Sequence, residues 1–461
     1  MISVAGVGYW ALTGAAHRTA PARRLPNLLL ISIDTLRADH VSAYGYDRPT
    51  TPAIDALAAR GVTFGQAYSH SPKTAISHMS IMTGLLPEAH GVEQWQSNGA
   101  ERLSDDIPTL ASLLKPHGYA TFAITGGGHV RGELGFDQGM DSFEFIDSVV
   151  DSFATLGDRI VRHVTTQPAV PFFAFVHTYA VHDPYVPPPP YRTLFTDPAY
   201  AGRIVSSSEA LSVAAGSEWK SQHELYWRRV DARDPHDVRQ LEALYDGAVR
   251  MTDDQIGKVL DRLREAGITD DTLIIVLSDH GEEFLDHGMF QHEQVYEELL
   301  HVPFIMVFPR AHGGGHNGQR VAAVVRMIDV LPTVLDYFGL PRPEHVQGVS
   351  LLPMLADGPA PPVEVMSSWR EGGLQSLRVD DVKVVRRQSD VGAVEWELYA
   401  LGEDPHEQHN RSRIDPQTSQ RMAQQLDRVA AAARAFRATR GRGPAVAPNQ
   451  DTLERLRALG Y

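Results

Sequence analysis

The sequence predicts an α/β protein: a mostly parallel central sheet covered by helices, followed by a small antiparallel sheet and one more helix. Three observations carry that prediction. Continuous apolar runs at Asn27–Ile33, Phe172–Val176 and Thr272–Leu277 suit strands buried on both faces, as in helix-covered parallel sheets. From residue 27 to about 340 such runs alternate with segments of helical period, the signature of that layering. After about Pro361 the pattern changes to short alternating runs at Gln375–Val379, Val382–Arg386 and Val394–Tyr399, which suit antiparallel strands.

The 461 residues allow two to three average domains or one large α/β domain with an appendage, and the predicted division is a lead over 1–26, a main domain over 27–360 and a C-terminal subdomain over 361–461. Hydrophobic residues make up 43% and charged ones 21%, a soluble-globular balance rather than a disordered one. With 42 Lys and Arg against 57 Asp and Glu, the net charge of −15 argues against a nucleic-acid partner. There is no Cys, which removes disulfides, thiolate metal sites and cysteine nucleophiles, while 21 His supply metal ligands and acid–base groups. The first 16 residues, MISVAGVGYWALTGAA, are uncharged and are followed by Arg18, Arg23 and Arg24. That run is short for a membrane span and lacks a basic region before it, so it reads as a truncated signal or anchor, or as a lead-in. Export or anchoring is the expected location rather than the cytoplasm, and the N-terminus is the one place for membrane association. The oligomeric state is not readable.

In chain order, Asn27–Ile33 delivers Asp34 at its carboxyl end, the edge where open α/β sheets bind ligands. TTPAIDALAARG follows as a helix with Thr51 as N-cap, Pro52 at the first position and Gly61 as the stop. In KTAISHMSIMTGLLPEAHG, apolar residues at Ile76, Met79, Ile81 and Met82 recur near a helical period and place Thr74 at a helix start. A hydroxyl there has two readings. It is an N-cap, or a nucleophile favoured by the unpaired N–H groups and positive dipole end of the helix.

Ile107–Lys115 then reads as a helix opened by Pro108, and Tyr119–Ile124 as a strand running into the loop of Gly126, Gly127 and Gly128. Phe172–Val176 ends in HTYAVHDPYVPPPP, where His177 and His182 leave the sheet together before a Pro-rich segment. Residues of about 190–236 are polar and poorly periodic, and read as a surface insertion or lid that shapes specificity. Val238–Arg264 is a helix stopped by Gly267, and Thr272–Leu277 delivers Asp279 and His280 to the same carboxyl edge as Asp34. Val302–Phe308 is one more strand, MIDVLPTVLDYFG a helix closed by Gly339, and Pro416–Arg437 the last helix before a Pro-containing link over Gly441–Asn449. No internal repeat is visible.

Two carboxylates, an imidazole and a hydroxyl on one sheet edge make an oxygen-rich site for a divalent cation. On these residues the chain resembles the sulfatase family within the alkaline phosphatase superfamily. The pieces that carry the resemblance are NLLLISIDTLRADHVSAYGYDRPTTPAIDALAARGVTF, TAISHMSIMTGLLPEAHGV, GFDQGMD, HDPYVPP, SDHGEEFLDHGMFQHEQVYEELLHVPFI, IDVLPTVLDYFGL, QGVSLLPML, ELYALGEDPHEQHN and LERLRALGY. The resemblance implies an alkaline-phosphatase-like fold and one divalent metal ion held by Asp34, Asp279, His280 and the nucleophile position, which spacing from Tyr68 to Thr83–Gly84 assigns to Thr74. It implies further that the family's signature arginine falls on His78, the histidine of its H-x-P segment on His182, and a basic residue four before Tyr296–Glu297 on His292. His78 and His292 read otherwise as solvated or capping histidines.

The departures bear on chemistry. Sulfatases of the main group carry a formylglycine made from Cys or Ser, and this window reads Thr74-Ala75-Ile76-Ser77-His78, so no formylglycine is expected. A sulfated threonine must be hydrolysed by slow attack at sulfur, whereas a phosphorylated one is open to in-line attack by metal-assisted water. The acidic ligand usual beside the first is Thr35, and the usual Asp-Asn pair reads Asp279–His280, which favours manganese, zinc or magnesium over calcium. The expectation is a metal-dependent hydrolase of a small anionic ester, either a sulfate ester or a phosphate or phosphonate mono- or diester, the latter favoured by Thr74. The alternatives are a phospho-group transferase to a lipid or glycan, and a non-catalytic sulfatase-like binding protein.

Overall fold

Strand Asn27–Ile33, with every residue buried, lies inside a nine-stranded sheet of the computed structural model, which describes residues 25–94, 99–216, 219–389 and 391–447. The predicted lead up to residue 24, LERLRALGY and the end of the Gly441–Asn449 link lie outside the described residues. The strands run in the order His301–Val302, Val62–Tyr68, Phe304–Val307, Thr272–Ser278, Asn27–Ile33, Phe172–Thr178, Ala120–Thr125, Ser142–Phe145, with Gln319–Arg326 alongside Val62–Tyr68. Asn27–Ile33 pairs in parallel with both Phe172–Thr178 and Thr272–Ser278. Its residues alternate between two cores: Leu28 and Leu30 face one with Met79, Phe173, Ile275 and Leu331, and Leu29 and Ile31 face the other with Phe153, Val176, Leu241 and Tyr245. The Thr74–Thr83 and Val330–Phe338 helices cover the first face, and Val149–Thr166 and Pro235–Glu265 the second, giving the three layers expected.

Several local expectations change. The single strand Val302–Phe308 is broken at Pro303, which has no N–H for the ladder, and Phe304–Val307 runs antiparallel to both its neighbours. Thr51 does occupy the N-cap position of the Pro52–Arg60 helix, but its side chain makes no cap bond; Asp253 accepts the Ala53 and Ile54 N–H groups at 2.8 Å instead. The strand before the Pro-rich segment continues to Thr178, so His177 remains in the sheet and only His182 leaves it. Among the described residues of 190–236, two stretches are regular, the helices Ser208–Ala215 and Trp219–Trp227, and Tyr226 is fully buried.

The C-terminal part is a four-stranded antiparallel sheet, Glu364–Trp369, Leu374–Val379, Val382–Gln388 and Val394–Ala400, with the Pro416–Ala438 helix packed on it. Its Met366, Leu377, Val384 and Leu426 join the same core as the Thr74–Thr83 helix. Its first strand also braces the chain just ahead of that helix: Ser368 N–H donates to the His70 carbonyl at 2.9 Å and Ser367 Oγ to the Ser69 carbonyl at 2.7 Å. Among the described residues no helix is long and apolar enough to cross a membrane.

Candidate active site

Register places the acids. Ile33 and Ser278 are paired residues on neighbouring parallel strands, so Asp34 and Asp279 emerge side by side at the carboxyl edge. His280 comes next, and the chain then passes so close to the Glu297–Leu300 segment that a Cβ on Gly281 would overlap the Glu298 carbonyl. Ligating atoms of Asp34, Asp279 and His280 all lie within 4.8 Å of one another, and all three side chains are fully buried.

Thr74 completes the group. The capping reading of this residue does not hold: Lys73 is the N-cap and Thr74 the first helical residue, with no side-chain cap bond. Thr74 Oγ1 is 3.3 Å from His280 Nε2, and its hydroxyl lies against Asp34, favouring the ionised carboxylate. Every residue of the Thr74–Thr83 helix is buried, and its polar side chains Ser77, His78, Ser80 and Thr83 are each met by a hydrogen-bond partner. Ser77 ties that helix to the acids by donating from Oγ to the Asp279 carbonyl at 2.7 Å.

The donor set fits a cation on its own evidence. Oδ1 of Asp34 and both oxygens of Asp279 are buried and accept no hydrogen bond, a costly state for protein alone. Burial and the neighbouring Asp279 charge push the Asp34 carboxyl well above its usual range. Burial acts on Asp279 in the same direction, but His280 and His78 outweigh it and hold that carboxyl low. Two acids this close do not both ionise without a positive charge between them. His280 donates Nδ1–H to the Gly281 carbonyl at 2.9 Å, so its Nε2 lone pair faces inward, and burial lowers its pKa to about 4. His177, missed as a site residue because it was read as leaving the strand, holds Asp34 Oδ2 at 3.0 Å from Nε2.

The other predicted histidines separate into two groups. His182 and His292 face each other with their Nε2 atoms 3.3 Å apart, and the His292 ring is 4.6 Å from that of His280, so both border the cluster. Burial alone would depress His182, but Asp183, Asp34 and Glu282 outweigh it and push its pKa up to about 10. Burial and the charges of Lys73, His280 and His182 hold His292 well below its usual value, so it is neutral. His78 lies behind the cluster with both ring nitrogens engaged, Nδ1–H on the Thr74 carbonyl at 2.8 Å and Nε2 with Ser32 Oγ at 2.8 Å; Nδ1 is also 3.3 Å from Asp279 Oδ2.

Sequence reading overlooked three more groups, and noted Thr35 only as standing in place of a usual acidic ligand. Thr35, beside Asp34, is buried at φ 55, an unfavourable conformation for a β-branched residue, and its Oγ1 accepts and donates nothing. Glu282 sits two residues past His280, fully buried, with its carboxyl pushed up to about 8 by burial and by Asp183. Lys73 is buried where its charge reaches His280, and His129 is buried beside the same group, held well below its usual pKa by burial and by the Lys73 and His182 charges. The SDHGEE string and the glycines before His129 were the available signals.

A buried nucleophile-type hydroxyl beside two acids and an imidazole on the carboxyl edge of an alkaline-phosphatase-like sheet defines a metal-dependent hydrolase of anionic esters. A model described as Sulfatase matches residues 26–340, and one described as N-sulphoglucosamine sulphohydrolase, C-terminal, matches 285–434. The chain therefore belongs to the sulfatase family. It is 26% identical over 484 residues to arylsulfatase K of Gallus gallus, covering 91% of this chain and 85% of that one. Among solved structures, a protein in complex with its substrate D-glucosamine-2-N,6-O-disulfate superposes with a TM-score of 0.70 at 21% identity, over 89% of this chain and 98% of that one. The phosphonate monoester hydrolase of Agrobacterium radiobacter gives 0.66 at 23% identity, over 90% and 96%.

Proposed function

We propose that this enzyme hydrolyses phosphate or phosphonate mono- or diesters in preference to sulfate esters, through a covalent ester on Thr74 and without formylglycine. The observation that carries the reading is the Thr74 hydroxyl, 3.3 Å from His280 Nε2 in the cluster of orphaned carboxylate oxygens. Asp34, Asp279, His280 and Thr74 Oγ1 would hold one divalent ion, and the mixed oxygen and imidazole donors favour manganese, zinc or magnesium. Bound there, it supplies Lewis acidity that lowers the pKa of the threonine hydroxyl and polarises the ester.

The chain's own groups do the rest. Thr74 Oγ loses its proton to solvent and forms a bond to phosphorus as the bond to the leaving oxygen breaks. The leaving oxygen takes that electron pair and a proton from His182 Nε2. His292, neutral and with Nδ1 making no hydrogen bond, offers Nδ1–H to a non-bridging oxygen. Water then attacks phosphorus, giving its proton back to His182, and Thr74 Oγ departs and is reprotonated. His78 holds the Thr74 carbonyl and shapes Asp279 rather than reaching the ester.

A panel of aryl sulfate, phosphate monoester, phosphodiester and phosphonate monoester substrates tests the reading. Faster turnover of a phosphorus ester, with activity lowered at least about 10³-fold in Thr74→Ala and metal content retained, is the expected result. Unchanged activity in Thr74→Ala, or a strong preference for aryl sulfate, overturns it.

A further inference from the structure

Asp183 follows His182 directly and is buried, yet it collects more hydrogen bonds than any acid in the metal cluster. Oδ2 accepts from His223 Nε2 at 2.7 Å, Trp227 Nε1 at 2.5 Å and Gln291 Nε2 at 3.0 Å. On its other side, His182 donates Nδ1–H to the Asp183 main-chain carbonyl at 2.9 Å, and Asp183 Oδ1, which accepts no hydrogen bond, lies 2.9 Å from the same nitrogen as an ion-pair contact. His223 and Trp227 come from the helix Trp219–Trp227 in the insertion, and Gln291 from the segment that carries His292. The Trp227 ring is itself seated against Phe290 at 5.2 Å and Tyr226 at 5.5 Å.

We infer that Asp183 is a positioning residue for His182, and that the insertion serves the chemistry by clamping this carboxylate through His223 and Trp227. The inference rests on His182 acting as the leaving-group acid. An imidazole can deliver a proton from Nε2 only if Nδ1 also carries one; the Asp183 main-chain carbonyl accepts that Nδ1–H, and the carboxylate charge fixed beside it favours the doubly protonated ring. Asp183 is fixed because three donors from two other segments converge on its far oxygen, leaving the near one for His182. Its charge also keeps His182 cationic: the ionisable groups facing Asp183 are His182, His223, His292, Tyr185, Tyr226 and Glu282, and His182 and His223 hold the carboxyl well below its usual range against the effect of burial. One helix of a stretch that looks like a specificity insertion thereby reaches the reaction through one carboxylate.

The test compares matched 4-nitrophenyl and methyl esters, sulfate or phenylphosphonate, whichever acid the wild-type enzyme turns over. A methyl ester needs its leaving oxygen protonated and a nitrophenyl ester hardly does, so His182→Ala should lose at least about 100-fold on the first and far less on the second. Asp183→Asn should show the same leaving-group bias and shift the alkaline limb of kcat to lower pH, because the neutral amide no longer favours the imidazolium. Trp227→Phe, which removes one donor while keeping the ring packing, should lose about tenfold on the methyl ester with the melting temperature and metal content preserved. If His182→Ala shows the bias while Asp183→Asn and Trp227→Phe slow both esters equally or not at all, the clamp is overturned and the acid stands. If His182→Ala shows no bias, the acid reading fails and the clamp falls with it.

Discussion

Asp34, Asp279 and His280 lie before the Gly281 turn in space, and Glu283, His287 and Glu298 lie just beyond it. Each trio brings two carboxylates and an imidazole within 4.8 Å of one another. They differ in what already satisfies them. In the first, three carboxylate oxygens accept no hydrogen bond and the His280 lone pair points inward. In the second, Glu283 accepts from His287 N at 2.8 Å and from Gln294 Nε2 at 3.0 Å, and His287 Nδ1 pairs with Glu298 at 2.7 Å. His287 also stacks on Tyr296 with ring centroids 3.7 Å apart. The second trio is a finished ion-pair network holding the loop that carries Gln291 and His292. Proximity of ligand-type residues therefore does not by itself mark a candidate metal centre; unmet acceptors set the first trio apart.

That contrast breaks most directly at its two ends. Asp279→Asn should abolish metal binding and lower activity at least about 10³-fold, while Glu298→Gln should leave the metal at one ion per chain and activity within about threefold, by elemental analysis and steady-state assay. An equal loss of metal in both would erase the distinction. The second trio should instead register in stability. Burial opposes the charge on His287, but the Glu298 carboxylate prevails and its pKa rises from the usual value near 6.5 to about 9. A raised folded-state pKa stabilises fully below the unfolded value and ceases to do so as pH rises through the folded one. The melting temperature should thus fall between about pH 6.5 and 9, and less steeply in His287→Gln. Asp253 supplies the smallest and cleanest comparison, a buried carboxylate whose acceptors are met by two helix-start N–H groups. Asp253→Ala should cost about 1–2 kcal/mol in denaturant unfolding, as for a lost cap, with metal content unchanged.

The sequence disclosed the first trio because it is written in the strongest local signals. Apolar runs ending in Asp34 and Asp279 predict parallel strands, and parallel strands put their carboxyl ends on one edge. Thr74 was legible as a helix start, and the structure has it as the first residue of its helix. The antiparallel direction of Phe304–Val307 was not, since an apolar run carries no direction. Val62–Tyr68 escaped notice because Gly65 and Gln66 interrupt its apolar pattern. The clamp on Asp183 was invisible for another reason: His223 and Trp227 lie 40 and 44 residues away, in a stretch whose polar composition masks its helices. His177 was misplaced by a strand end two residues too early, and with it went the hydrogen bond to Asp34.

Anomalous diffraction from crystals grown with manganese tests the central claim most directly. The account predicts one strong peak enclosed by Asp34, Asp279 and His280 and adjoining Thr74 Oγ1, with none at Glu283, His287 and Glu298. A peak confined to the second trio, or a metal in the first that leaves Thr74 outside its coordination sphere, would contradict it.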